Sequence, residues 1–239
     1  MAELTILVPT RGRPRSVRRQ YEAFRETGAF DQGCDLVYLA DESDPQLPMY
    51  KQEIGELPQS LGFQGNASVV TVLGHWKPMV AKLNIIAGGQ AKISRSPLGF
   101  MGDDHLPRTE NWVETILKEM RSGVSVVSGP DGLRTDDLPT WWVMDQLIVY
   151  ALGRIVPANV AHMYCDNSVR DLAKGADVYR WMPDLLVEHL HPMAGKAEMD
   201  AGYATVNAPE QYQEDAAAYM LWRYRQMRAD VEKVRALRG

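Results

Sequence analysis

Cysteine is scarce in this chain, long apolar runs are missing, and positive charge is not in excess. Only Cys34 and Cys165 occur in 239 residues, far apart and without metal-ligand spacing. That excludes a disulfide framework and a cysteine-based zinc site. No apolar run approaches the roughly 20 residues that span a bilayer, and the opening Met1-Ala2-Glu3-Leu4-Thr5-Ile6 lacks a secretory-signal pattern. The expectation is a soluble cytoplasmic protein. A formal charge of −5 and a pI near 5.6 give no overall basic field for nucleic acid. The cations are unevenly spread, however. Arg11, Arg13, Arg15, Arg18 and Arg19 crowd the start, and Arg223, Arg225, Arg228, Lys233, Arg235 and Arg238 crowd the end. With 45% hydrophobic and 24% charged residues, the composition is that of a globular chain able to bury one large core.

The most informative stretch is Leu98-Gly99-Phe100-Met101-Gly102-Asp103-Asp104-His105-Leu106-Pro107. A short apolar run ends in two adjacent carboxylates and an imidazole, which reads as a central strand delivering acids to one rim of a sheet. In open α/β sheets that rim, at the carboxyl ends of the strands, is where ligands bind. Adjacent acids repel unless a cation lies between them, and oxygen with imidazole ligands suits Mg²⁺ or Mn²⁺. These residues therefore suggest a metal–diphosphate site.

Other strands end in the same way. Leu4 to Val8 reads as a buried strand, followed by Pro9-Thr10-Arg11-Gly12-Arg13-Pro14 and a helix that stops near Gly28. Backbone N–H groups at that helix start, with Arg11 and Arg13 beside them, suit a phosphate or nucleotide edge. Asp35 to Ala40 reads as a second strand ending in Asp41-Glu42-Ser43-Asp44-Pro45, where Asp41 is placed to bond a ribose hydroxyl or base N–H. A third strand spans Val69 to Leu73. The helix from Met79 is expected to stop at Gly88-Gly89 and carries Lys82, either a point charge for a diphosphate or a plain surface lysine. Trp112 to Arg121 reads as a core-packed helix, and Val124 to Ser128 as the fifth strand.

Adjacent Trp141 and Trp142 cannot both be buried on one face of a regular element. They are candidates for stacking on an acceptor sugar or base, the alternative being a patch over the core. Asp166, before a helical run, is either an N-cap or a general base on the rim opposite the metal. In Leu185-Leu186-Val187-Glu188-His189-Leu190-His191-Pro192, His189 and His191 share a strand face, an arrangement that suits a metal. Gly195-Lys196 follows in a loop able to fold over phosphate. From Pro209 the chain reads as one helix to the end, with arginines dominating its last turns; those cations are either solvated or grip an anionic acceptor such as DNA.

With these pieces in place, residues 4 to 196 resemble the GT-A-fold glycosyltransferases, nearest the family 2-like group that includes small bacteriophage enzymes. The resemblance rests on Val8-Pro9-Thr10-Arg11-Gly12-Arg13-Pro14, Asp41-Glu42-Ser43-Asp44, Gly102-Asp103-Asp104-His105 and Glu188-His189-Leu190-His191-Pro192. It implies a mixed, mostly parallel sheet flanked by helices over residues 1–208, with a C-terminal helical extension over 209–239. It also implies a nucleotide-diphosphate sugar, such as a UDP-sugar, held by Pro9, Thr10, Arg11, Arg13, Asp41, Lys82 and Asp103. Asp103 and Asp104 take the family's Asp-x-Asp position, although Gly102 stands where one acid would be in the register that ends at Asp104. Asp104 then ligates Mn²⁺ or Mg²⁺ with His191 and, close behind it, His189; His105 fills the last place in the other register. Asp166 takes the place of the base of inverting enzymes, Trp141 and Trp142 being kept for the acceptor. A phage-type enzyme in the host cytoplasm implies an acceptor such as a hydroxymethylated base in DNA or a virion protein. Two alternatives stand beside this. A nucleotidyltransferase acting on a sugar phosphate usually has a more glycine-rich first loop than Pro9-Thr10-Arg11-Gly12-Arg13. A non-catalytic nucleotide- or DNA-binding module gives the acids and histidines no reason to coincide.

Overall fold

Seven consecutive apolar or β-branched residues, Leu4–Thr10, form strand β1, and all seven are buried. A strand covered on both faces belongs at the centre of a mostly parallel sheet. Its neighbours are β2 (Cys34–Asp41) and β4 (Leu98–Phe100), both parallel to it, and β3 (Ala67–Val72) runs parallel to β2. Beyond β4 the sheet turns mixed with β7 (Trp142–Met144), β6 (Val126–Ser128) and β8 (Tyr179–Trp181), giving the order β3-β2-β1-β4-β7-β6-β8. The computed structural model describes residues 2–57, 66–73, 78–197 and 207–238. Residues 58–65, 74–77 and 198–206 lie outside them.

Side-chain alternation along the strands builds two cores. Ile6, Val8, Leu36 and Tyr38 face helices α1 (Arg15–Glu26) and α4 (Trp112–Met120), meeting Val17, Phe24, Trp112 and Val113. Leu7 and Leu39 face α3 (Met79–Ile93), α5 (Gln146–Leu152) and α6 (Cys165–Gly175), meeting Leu83, Ala87, Ile148, Val169 and Leu172. Helix α2 (Leu47–Glu56) follows β2 and buries Tyr50.

Four expectations need correction. Helix α3 does not stop at Gly88-Gly89 but runs to Ile93. Gly88 is there for closeness, since a Cβ on it would lie 2.8 Å from the Gly153 carbonyl oxygen. Residues directly after the two acids form an unforeseen strand, β5 (His105–Pro107), so the strand expected at 124–128 is the sixth. β5 pairs antiparallel with β9 (Val187–His189), with His105 opposite His189.

The C-terminal segment is two helices, α7 (Pro209–Arg225) and α8 (Met227–Arg235), broken at Gln226 where φ is −126°. The break turns Trp222, Val231 and Val234 together onto the core beside α6. A Cβ on Gly175 would lie 2.9 Å from Val231 Cγ2, so that glycine lets α8 approach. The terminal arginines serve the fold. Arg223 pairs with Asp171, Arg228 with Glu232 and Arg238 with Asp177, while Arg235 donates to the Gly175 carbonyl.

Finally, Trp141 and Trp142 are both fully buried. They point to opposite faces of the sheet, Trp141 into the α1/α4 core and Trp142 against Phe100 at 4.4 Å in the other. The sheet is covered on both sides, so neither ring is left to stack on an acceptor.

The two neighbouring glycines of α3 provide a test. Gly89→Ala adds a methyl to open space in a helix and is expected to stabilise by about 0.5–1 kcal/mol. Gly88→Ala pushes on the Gly153 backbone and is expected to destabilise by about 1–3 kcal/mol. Urea midpoints of the two variants should move in opposite directions.

Candidate active site

Three parallel strands end side by side: β2 and β4 deliver carboxylates, and β1 between them delivers Thr10 and the cations Arg11 and Arg13. Asp41, at the end of β2, is fully buried. The Lys82 ammonium from α3 reaches its Oδ2 at 3.0 Å and donates to the Thr10 carbonyl at 3.1 Å. Arg11 lies 3.4 Å from the same carboxylate and 3.3 Å from the Ser43 hydroxyl. Lys82 is thus a buried cation tying β1 to β2, only 4% exposed, and not a surface lysine. Burial lowers its pKa, while Asp41 works against that. Asp44 caps the next turn by accepting from the Gly12 and Gln46 amides at 2.9 Å each.

A relay of hydrogen bonds links the first loop to the acids after β4. The Arg13 amide donates to the Tyr50 hydroxyl at 2.7 Å, Tyr50 to the Thr10 hydroxyl at 2.9 Å, and Thr10 to Asp103 at 2.6 Å. The Arg13 guanidinium bonds Asp103 at 3.1 Å and lies 3.8 Å from Asp104. Burial, with Asp104 next to it, pushes the Asp103 carboxyl up to about 6, although Arg13 and Thr10 oppose the shift. Of the expected donor-binding residues, the structure brings Thr10, Arg11, Arg13, Asp41, Lys82 and Asp103 together. Pro9 is buried within β1 opposite Leu39, so its side chain is packing.

The turn holding the acids is fixed from α1. Gln20, fully buried, donates to the carbonyls of Gly102 at 2.9 Å and His105 at 2.8 Å. A Cβ at position 102 would stand 2.6 Å from Asp104 Oδ1. That is the physical reason for glycine where an Asp-x-Asp pattern has its first acid, because a side chain there would displace the Asp104 carboxylate. His105 accepts the Gly102 N–H at Nδ1, 2.9 Å, so its neutral ring carries its proton on Nε2. Burial, then His189, pushes this imidazole down to about 3.

Asp104, His105 and His189 each bring a ligand atom within 4.8 Å of the others. His189 Nε2 is 3.6 Å from Asp104 Oδ1, and the His189 ring stands edge-on to His105 at 4.3 Å and to His191 at 5.0 Å. With its Nδ1 lone pair taken, His105 presents a donor rather than a ligand, which leaves Asp104 and His189 as the facing pair and His191 beside them. A carboxylate with imidazoles is a donor set that fits Mn²⁺ better than Mg²⁺. Lys196 bonds Glu188 at 2.7 Å.

Asp166 lies in the first turn of α6, after Tyr164 at φ 62°. Burial holds its carboxyl above the usual range against the Asn167 amide, Arg134 and Arg170. Asp215 of α7, 2% exposed, accepts the consecutive amides of Ala161, His162 and Met163 at 2.6, 3.0 and 2.8 Å. The C-terminal helix therefore anchors the segment that leads into Asp166. His162 on that segment lies within electrostatic reach of Asp104, Arg13 and Lys82.

Sequence reasoning missed Tyr50, Gln20, His162, Asp215 and Asp131. Asp131 alone carried a signal, being an acid soon after a short apolar strand like those at 41 and 103. Tyr50 and Gln20 sit at ordinary helical core positions, and the partners of Asp215 are about fifty residues away.

Replacing the buried cation tests the inner half of the site. Lys82→Met removes the ammonium that bonds Asp41 inside the protein and is expected to cost about 3–5 kcal/mol. Chemical denaturation reads this directly.

No family model and no curated protein sequence matches this chain. Among solved structures, it is similar to the mannosyltransferase PcManGT from Pyrobaculum calidifontis in complex with GDP-Man and Mn²⁺. Identity is 12% and the TM-score 0.61, over 98% of this chain and 86% of that one. It is also similar to S. aureus TarS 1–349 in complex with UDP-GlcNAc, at 11% identity and a TM-score of 0.64, covering 99% of this chain and 71% of that one. TarS 1–349 in another crystal structure aligns at a TM-score of 0.57 and 10% identity, over 100% of this chain and 90% of that one. Its mixed, mostly parallel sheet flanked by helices is the fold of GT-A glycosyltransferases.

Proposed function

We propose that this protein is a metal-dependent glycosyltransferase that moves a sugar from a nucleotide-diphosphate sugar to an acceptor hydroxyl, with inversion at the anomeric carbon. One observation carries the reading: Asp104 and His189 face each other at 3.6 Å on the rim where Arg11, Arg13 and Lys82 also gather. The structural neighbours are glycosyltransferase structures, two of which hold a nucleotide-sugar and one of those Mn²⁺ as well.

In this reading Asp104 and His189 would hold Mn²⁺, with Mg²⁺ as the weaker fit; His191, the ligand first expected, lies outside the converging group and borders it through the His189 ring. The ion supplies charge neutralisation for the departing diphosphate. Arg13, already oriented by Asp103, adds a fixed cation where negative charge develops on the leaving oxygens. Arg11 contacts the nucleoside, while buried Thr10 and Asp41 form the floor beneath it, Lys82 holding Asp41 in place. Asp166 takes the proton of the attacking hydroxyl as the new bond forms on the opposite face of the sugar, a contribution of roughly 10²–10⁴-fold. A base must be ionised, and burial raises Asp166, so activity should fall on acidification at a higher pH than for an ordinary carboxylate.

The acceptor is a hydroxyl, either on a hydroxymethylated base in DNA or on a virion protein. At the C-terminus Arg223, Arg228, Arg235 and Arg238 pair within the fold, while Arg225 and Lys233 lie exposed beside them and suit an anionic acceptor.

Donor hydrolysis across uridine, guanosine and thymidine diphosphate sugars with Mn²⁺ identifies the nucleotide and sugar. Hydrolysis of one donor class is expected, and no hydrolysis or nucleoside-diphosphate binding in any class would overturn the proposal. Asp166→Asn is expected to abolish transfer while calorimetric donor binding persists. Asp104→Ala is expected to lose Mn²⁺ dependence and donor binding together. Full transfer by Asp166→Asn would remove that residue from the base role.

A further inference from the structure

We propose that Asp131 is a positioning residue for the metal-binding edge of the site: its carboxylate takes the Nδ1–H of His189 and so turns the Nε2 lone pair of that ring towards Asp104. The use of that lone pair rests on the metal-dependent reading above; the orientation of the ring does not.

Asp131 follows β6 in Ser128-Gly129-Pro130-Asp131-Gly132 and is 2% exposed. Its Oδ1 accepts the amides of Leu133 and Arg134 at 2.8 Å each. Its Oδ2 is buried without a hydrogen-bond partner and stands 4.0 Å from His189 Nδ1. The neighbouring Thr140 hydroxyl comes near without closing a bond. A buried carboxylate oxygen left unpaired is costly; it has room for two donors, and the Thr140 hydroxyl and the His189 imidazole are the two that face it.

The two residues cannot drift apart. The His189 amide donates to the Asp131 carbonyl at 2.9 Å and the Val187 amide to Pro130 at 3.1 Å, which laces the loop after β6 along β9. A small rotation of the ring closes the remaining gap, and such contacts commonly tighten only when the site is loaded.

His189 lies between two carboxylates, Asp131 at Nδ1 and Asp104 at Nε2. A neutral imidazole has one N–H and serves one of them. With the proton on Nδ1, Asp131 is satisfied and Nε2 offers a lone pair beside Asp104, where a cation fits. Carboxylates behind metal-bound histidines fix tautomer and orientation in this way. Among the clustered rings His105 cannot take this part, because its Nδ1 already accepts the Gly102 amide.

The test substitutes Asp131→Asn, which keeps an acceptor oxygen for Leu133 and Arg134 but sets an NH₂ against His189 Nδ1, favouring the opposite tautomer. Mn²⁺ binding is read from free-ion electron paramagnetic resonance, without substrate turnover. Affinity is expected to fall about 10–100-fold. In a His189→Gln background the same substitution should change affinity less than twofold, which a general loosening of the loop would not reproduce. Nitrogen-15 NMR of the metal-free native protein at alkaline pH should show His189 as the Nδ1–H tautomer. An affinity unchanged within twofold, an equal loss in the His189→Gln background, or a native Nε2–H tautomer would each overturn the proposal. Should the native protein bind no Mn²⁺ even with a nucleoside diphosphate, the metal reading fails; the tautomer measurement then decides the role of Asp131 alone.

Discussion

Carboxylates brought to the ends of buried strands must be matched by positive charge, and that constraint organises this molecule. Asp41 is matched by Lys82 and Arg11, and Asp103 by Arg13 with a hydroxyl from Thr10. Asp104, the outer acid, lies 3.8 Å from the Arg13 guanidinium and 3.6 Å from Nε2 of His189. The inner acids build the site, and in the proposed reading the outer one holds the ion.

The architecture serves that matching of charges. Parallel strands β1, β2 and β4 align their ends, α1 clamps the acid turn through Gln20, and α3 delivers Lys82 from the opposite face of the sheet. The small β5–β9 pair sets His105 opposite His189, so the turn with the acids and the histidine strand are joined by main-chain hydrogen bonds. The C-terminal helices belong to the same construction. Asp215 holds the segment before Asp166, and Asp230 takes hydrogen bonds from Arg154 at 2.6 Å and Trp222 at 2.9 Å.

What was legible in the chain was local. Apolar runs closed by acids at Asp41 and Asp103 gave the parallel strands and the working rim, because burial on both faces leaves a continuous hydrophobic signature. The histidines at 189 and 191 were visible through their strand spacing. Non-local events were not legible. Trp141 and Trp142 read either as binding surface or as a patch over the core, because a one-sided element cannot bury both, whereas a sheet covered on both sides can. Gly88-Gly89 resembled a helix end, but Gly88 records close packing against Gly153 and Gly89 faces open space. The choice among His105, His189 and His191 turns on which ring nitrogen is already occupied, and that depends on the Gly102 amide and Asp131, set by folding and not by spacing.

The most direct measurement is anomalous diffraction from a crystal soaked with Mn²⁺ and the nucleoside diphosphate that binds best. The account predicts a single strong manganese peak about 2.0–2.4 Å from an Asp104 oxygen and from Nε2 of His189, with the diphosphate reaching the ion beside Arg13. A peak away from these residues, or nucleotide density with no ion between Asp104 and His189, would contradict it.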